Sequence, residues 1–213
     1  MPIRSISLDA FLKKFPKSKS DFSLVPLPSK LKWGELSLKY EYKVLAKLCH
    51  MQSPEKVFEF GTFEGLTTLL FAQNTDPDSM IYTLDLPRKE KLETKYPVDA
   101  GNQRCIDERK TNHFARTRFS QKIKQIWGDS ARVSLTSYYG KMDFVFVDGA
   151  HTYEYTQNDT QKAFKLVRKK GLVVWHDYNP EYWPETVKFL RKLGRKKTFY
   201  HIRGTYFLVW KAS

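Results

Sequence analysis

Short strand-like runs that stop before a glycine or near an acid recur through this chain, and several are followed by residues at helical spacing. Lys56–Phe60 stops before Gly61, Met80–Leu84 before Asp85, Ile123–Trp127 before Gly128-Asp129, Asp143–Val147 before Asp148, and Leu172–Trp175 before His176-Asp177. The stretch Phe144–Val147 is apolar without a break, as a strand covered on both faces must be. Helical stripes lie between them. Tyr40, Val44, Leu45, Leu48 and Cys49 predict a helix near 37–51, and Leu66, Leu69 and Leu70 predict a second. Thr156, Thr160, Ala163, Phe164 and Val167 predict a third, and Val187, Leu190 and Leu193 a fourth with Pro184 in its first turn. The turn Lys170-Gly171 introduces the fifth strand, and Thr198–Ile202 with Thr205–Trp210 around Arg203-Gly204 reads as a hairpin. Strands alternating with helices predict an α/β fold: a mostly parallel sheet with helices on both faces, closed by a C-terminal antiparallel β-hairpin.

The chain has 213 residues, the size of one domain with or without an arm. Residues 1–38, with scattered apolar side chains and several prolines, read as an irregular arm or lid, and 39–213 as the domain proper. Residues 86–122 are long and polar for a strand connection and fit either partial helix or irregular loop. No run approaches the roughly 18 apolar residues of a membrane span. No secretory signal is evident at the start, and Cys49 and Cys105 make no disulfide framework, so the expected compartment is cytoplasmic.

The net charge of +14 is unevenly spread: residues 188–203 hold 7 basic and no acidic groups, while 57–85 and 143–159 hold acids and no lysine or arginine. Basic flanks around an acidic centre fit either a solvated surface or an anionic partner approaching a site built from carboxylates.

In an open parallel sheet, ligands bind beyond the carboxyl ends of the strands. Those ends here offer Glu59, Asp85, Asp129, Asp148 and Asp177. Gly61 and Gly65 flank the first strand-to-helix turn, where missing side chains let a ligand approach backbone N–H groups. Phe63 stands where a dinucleotide fingerprint has its second glycine, and Glu59 would repel a pyrophosphate. A carboxylate at that point suits a sulfonium or an amine. Asp85 can accept from a ribose diol or serve as a turn aspartate before Pro87. Asp129 can accept from an adenine amino group, or Asp129 or Ser130 can cap the following helix. Asp148 and Asp177, on neighbouring strand tips, can bind a hard divalent cation such as Mg²⁺, which would lower the pKa of an acceptor hydroxyl. Without a cation, His151 is the natural general base, oriented by Asp148 or Asp177; its plainer role is a helix-start residue bonded to backbone. His176, just before Asp177 on a strand, is expected to face the other way and to be structural.

In this order and spacing, the segments EFGTFEGLTT (59–68), YTLDLP (82–87), WGDS (127–130), VFVDGAHTYEYTQND (145–159) and VVWHDY (173–178) resemble the class I S-adenosylmethionine-dependent methyltransferases. The nearest likeness, from about Gly34 to Trp210, is to methyltransferase family 24, relatives of the catechol-type O-methyltransferases. The resemblance implies a Rossmann-like, seven-stranded sheet with an antiparallel last strand, and S-adenosylmethionine as cofactor across strands one to four. By position, Glu59, Gly61, Thr62 and Gly65 would hold its methionine end, Asp85 the ribose, and Asp129 with Ser130 the adenine side, with Asp148 alongside. The catechol-type enzymes follow the strand-five aspartate directly with an asparagine metal ligand; this chain has Tyr178 there, and Asn179 one step later.

The chemistry this implies is in-line methyl transfer, in which the protein positions a nucleophile and removes its proton. Trp33, Tyr153, Tyr178 and Trp183 would wall the acceptor pocket, and aromatic faces favour a sulfonium. The expected acceptor is a hydroxyl on a small molecule or a glycan, and the basic flanks suit an anionic one. The rivals are an RNA or DNA methyltransferase and a non-catalytic cofactor-binding relative. The nucleic-acid reading is disfavoured because Arg109–Arg118 carries a single aromatic, Phe114, and Asp148-Gly-Ala-His replaces the motif of adenine-amino methylases. The sequence is compatible with a monomer or a homo-oligomer.

Overall fold

A computed structural model describes residues 3–14, 35–87, 94–110 and 112–213. The strands are β1 (Arg4–Ile6), β2 (Lys56–Phe60), β3 (Met80–Asp85), β4 (Ile123–Trp127), β5 (Met142–Val147), β6 (Val167–Trp175), β7 (Tyr200–Ile202) and β8 (Leu208–Lys211). The helices are α1 (Leu8–Leu12), α2 (Glu35–Gln52), α3 (Leu66–Gln73), α4 (Ala100–Glu108), α5 (Tyr153–Leu166) and α6 (Pro184–Gly194). The strands form one sheet in the order β1-β7-β8-β6-β5-β2-β3-β4. All neighbouring pairs are parallel except those made by β8 with β6 and β7. Among the described residues no helix is long and apolar enough to cross a membrane.

Side-chain alternation along the strands divides the apolar residues between two layers. On one face Val57, Ile81, Phe144, Phe146 and Val174 pack with Val44, Leu45 and Leu48 of α2 and Leu70 and Phe71 of α3. On the other, Phe58, Phe60, Val145, Val147 and Trp175 pack with Ala163 and Leu166 of α5 and Leu190 of α6. All six residues of β5 are buried, because β2 and β6 flank it and helices cover both its faces. α5 starts on Thr152, whose hydroxyl accepts from the Tyr155 backbone N–H, and α6 has proline in its first turn, as its sequence requires.

Two features depart from the sequence expectation, and a third settles an alternative that the sequence left open. The sheet gains an eighth strand: β1 pairs in parallel with β7, and α1 buries Leu8 and Phe11. Part of the expected irregular arm is therefore core, although one strand and one helical turn are too short to show periodicity. The Lys170-Gly171 turn lies within β6 and not before it: Lys170 adopts φ +63° and the pairing with β5 shifts register between Met142 and Phe144. The polar connection contains α4, capped by the Asp99 carboxylate on the Asn102 backbone N–H at 2.9 Å and burying none of its own residues. Trp33 lies outside the described residues.

Because Phe11 is fully buried against the Tyr200 ring, Phe11→Ala should destabilise the fold by about 3–5 kcal/mol in urea denaturation. A cost below about 1 kcal/mol would show that the N-terminal segment is not part of the core.

Candidate active site

Backbone hydrogen bonds continue one residue past the strands and fix a row of carboxyl ends. Gly128 N–H donates to the Asp85 carbonyl at 2.9 Å, Gly61 N–H to Leu84 at 2.8 Å, Asp148 N–H to Phe60 at 2.9 Å, and His176 N–H to Val147 at 3.0 Å. Glu59, Asp85 and Asp148 thus sit on three adjacent strands at one edge, close enough that the charges of Asp148 and Asp85 help raise the Glu59 pKa. Gly61, at φ +90°, is required: a Cβ there would lie 1.9 Å from the Asp148 carbonyl oxygen. Gly65, at φ +79°, begins α3, and a Cβ there would press on the Phe114 ring.

At the β5 and β6 ends, ligating atoms of Asp148, His151 and Asp177 lie within 4.8 Å of one another. His151 Nε2 is 2.6 Å from Asp177 Oδ2, and its Nδ1 is 3.1 Å from Asn102 Oδ1 on α4. Asn102 is fixed in turn: its Oδ1 also accepts from the His151 backbone N–H, and its Nδ2 donates to the Gly149 carbonyl. His176 does not face away, as the sequence reading expected. Its Nδ1 lies 2.9 Å from Asp177 Oδ1 and 3.3 Å from Asp148 Oδ1, and its Nε2 lies 3.2 Å from Glu41 Oε2. The cause is that β6 ends at Trp175 and Asp177 adopts φ +64°, so strict alternation no longer governs these two residues.

Both nitrogens of each of these two imidazoles lie within hydrogen-bond distance of oxygens that can accept, an arrangement that favours the doubly protonated ring. Burial works against the imidazolium of His151, yet Asp177 raises its pKa above the ordinary value. Burial likewise opposes charge on His176, but Asp177 and Asp148 hold it well above. Asp177, despite burial, is kept far below the usual carboxylate range by the two imidazoles. Three carboxylates against two imidazoliums leave the cluster net negative. Trp183 roofs it, with its ring centroid 5.5 Å from that of His151 and 6.2 Å from that of His176. Tyr153 instead packs on Phe189, and Tyr178 on His201. Asn179 caps a turn by accepting from the Glu181 backbone N–H at 2.8 Å.

Further along the edge, Glu59 is wholly buried. Its Oε2 accepts from Thr68 Oγ1 at 2.5 Å and Thr83 Oγ1 at 2.6 Å, while Oε1 has no partner among the described residues. Burial pushes its pKa up to about 8. Thr62 turns inward, with its hydroxyl 2.6 Å from that of Thr83 and accepting from Gln125 Nε2, so its backbone is what the edge presents. Asp85 accepts from the Phe63 and Leu86 backbone N–H groups, each at 2.8 Å, and from Arg109 Nη1 at 2.6 Å. Arg109, which the sequence reading did not single out, also bonds the Leu86 carbonyl and lies over the Trp127 ring. Asp129 accepts from Lys95 N–H at 2.7 Å, Ala131 N–H at 2.7 Å and Tyr155 OH at 3.0 Å. Ser130 bonds the Asp159 carboxyl. No helix starts at Asp129 or Ser130, so the capping alternative is not realised; Asp129 instead closes a turn through the Ala131 N–H.

The chain matches a family profile described as "Methyltransferase domain" over residues 58–178, the span from β2 to the turn after Asp177. An uncharacterized protein, R132, of Acanthamoeba polyphaga mimivirus is 27% identical over 142 residues, covering 63% of this chain and 57% of that protein. The chain thus spans little more than half of that relative's length. Among solved structures, the O-methyltransferase TomG of Streptomyces achromogenes, in complex with S-adenosylmethionine, shares the fold at TM-score 0.54 and 17% identity, over 82% of this chain and 80% of that one. The O-methyltransferase of Bacillus cereus, in complex with S-adenosylhomocysteine, does so at TM-score 0.54 and 16% identity, over 88% and 84%.

The buried Glu59 carboxyl makes a signed prediction. Between the ordinary glutamate pKa of about 4.3 and its folded value of about 8, the native state holds a proton that the unfolded chain has released. Stability therefore falls as pH rises through that window. Glu59→Gln should remove this slope and gain on the parent by about 3–4 kcal/mol near pH 8 relative to pH 5, as read by urea denaturation without ligand. Parallel pH profiles for the two proteins would assign the buried proton elsewhere.

Proposed function

The chain belongs to methyltransferase family 24, and on that premise we propose that it transfers a methyl group from S-adenosylmethionine to a hydroxyl of a small-molecule or glycan acceptor. The observation that carries this reading is the row Glu59, Asp85 and Asp148 on adjacent strand ends beside the His151–Asp177 pair. The cofactor fits the residues present: Glu59 Oε1 is a buried carboxyl oxygen without a partner among the described residues, and the left-handed Gly61 and Gly65 shape the turn beside it. When bound, S-adenosylmethionine supplies an electrophilic methyl on a sulfonium, a charge that the net negative cluster favours. The two bacterial O-methyltransferases of the same fold, solved with this cofactor or its product, support the assignment.

In this reading Glu59 faces the amino end, Asp85 takes the ribose by exchanging its Arg109 contact for the diol, and Asp129 with Ser130 borders the adenine side. Asp177 holds His151 Nε2. The acceptor hydroxyl takes the place of Asn102 at Nδ1, and the neutral ring accepts its proton. His176 keeps Asp148 and Asp177 apart in charge and fixed in position, and Trp183 excludes water from above.

A second reading rests on the spacing of the Asp148, His151 and Asp177 ligating atoms. Two carboxylates and an imidazole suit a divalent cation; these residues would hold Mg²⁺, which would acidify the acceptor hydroxyl in place of the imidazole base.

Calorimetry with S-adenosylhomocysteine and a methyl-transfer assay over a panel of hydroxyl acceptors test both. Glu59→Ala should weaken the cofactor product about tenfold or more. His151→Ala and Asp148→Ala should abolish transfer while leaving that affinity within a few fold. Transfer by the parent should rise with pH through a value above 6.5, because the His151 pKa is raised, and should survive EDTA. Loss on chelation, restored by Mg²⁺, would favour the cation. Failure to bind S-adenosylhomocysteine would sink the whole proposal.

A further inference from the structure

The helix after the candidate active site carries a feature that methyl transfer itself does not use. Lys188, Arg191, Lys192 and Arg195 fall at i, i+3, i+4 and i+7 of α6 and its C-cap, which places them on one face. With Tyr153, Pro180 and Pro184 they line an open groove of about 700 Å³. Arg191, Lys192 and Arg195 are exposed, and the sequence from 188 to 203 contains no acidic residue. The two acids that border the groove, Glu154 and Glu185, sit at its upper end, where Glu185 pairs with Lys188 at 3.4 Å. The start of α6, which borders that end, contacts the reaction centre. Pro184 follows Trp183, the residue stacked over His151, and Thr186 Oγ1 donates to the His151 carbonyl at 3.1 Å. At 1.5 Å per residue, the seven steps from Lys188 to Arg195 make a cationic track roughly 10 Å long that leads away from His151.

We propose that this groove holds the distal part of an elongated anionic acceptor, a saccharide chain bearing sulfate, phosphate or carboxylate groups, and leads one of its hydroxyls to His151. The inference rests on the O-methyl transfer reading, which requires a hydroxyl-bearing chain; the charge pattern requires that the chain be anionic along its length. A single-stranded nucleic acid fits the groove less well. Such ligands use open aromatic faces for base stacking, and the ring among the lining residues, Tyr153, is already packed on Phe189 with Lys188 above it.

The test uses the full chain with fluorescein-labelled low-molecular-weight dextran sulfate, neutral dextran of equal length, and oligouridylate of matched charge. The double variant Arg191→Gln/Lys192→Gln is compared with Arg116→Gln/Arg118→Gln, which removes the same charge from exposed positions elsewhere. The groove variant should bind dextran sulfate about tenfold more weakly, with the salt dependence of its binding reduced by about two counterions. The control variant should stay within twofold of the parent, and neutral dextran should not bind. Equal losses in the two variants would show that only diffuse net charge is at work and would overturn the proposal. Groove-dependent binding of oligouridylate tighter than dextran sulfate would overturn it in favour of RNA. Retained S-adenosylhomocysteine binding in the groove variant separates a failure of this inference from a failure of the methyl-transfer reading.

Discussion

β5 lies hydrogen-bonded in parallel between β2 and β6 with all six of its residues buried. The rest of the molecule depends on that arrangement. An apolar run that cannot slip without exposing its side chains fixes the register of both neighbours. It therefore fixes which residues emerge at the shared edge. Glu59 reaches that edge from β2, Asp148 from β5, and Asp177 from the turn after β6. A one-residue shift of β5 would turn Asp148 from the cleft and remove its main-chain bond to Phe60.

The carboxylates collected in this way are costly to bury, and each is offset differently. Asp177 is compensated by two imidazoles, and Asp85 by Arg109 and two backbone N–H groups. Asp129 is held by backbone and a tyrosine hydroxyl. Glu59 is the exception: its hydroxyl partners crowd one oxygen and leave the other unmatched, so the group keeps a proton at a pH where glutamate is ordinarily charged. In the proposed reading, this incompletely satisfied buried acid beside two left-handed glycines is where a cationic group of the cofactor would bond. The left-handed Asp177 points the same way, since strained backbone persists where surrounding contacts over-determine it.

Much of this was legible in the amino-acid order. The helices α2, α3, α5 and α6 announce themselves by period, because one buried face imposes it, and the central strands by short apolar runs that end near acids or glycines, followed by the hairpin. The strand-end acids follow from those boundaries, and His151 from its place beside them. What escaped lies where period carries no information. α1 and β1 are too short to repeat. α4 buries none of its residues, so neither Asn102 nor Arg109 could be placed against His151 and Asp85. His176 was assigned by alternation to the wrong side because the strand had already ended one residue earlier. Residues such as these are set by tertiary contacts between distant segments, for which a single sequence offers no local signal.

The account stands on one claim, that the strand-end carboxylates and the His151–Asp177 pair border a single cleft for a sulfonium cofactor. A crystal structure of the protein with S-adenosylhomocysteine and Mg²⁺ addresses it directly. The account predicts the amino end of the ligand at Glu59, its ribose hydroxyls on Asp85 with Arg109 displaced, and its sulfur turned toward His151. A ligand seated away from the ends of β2, β3 and β5, with Arg109 still on Asp85, would contradict it.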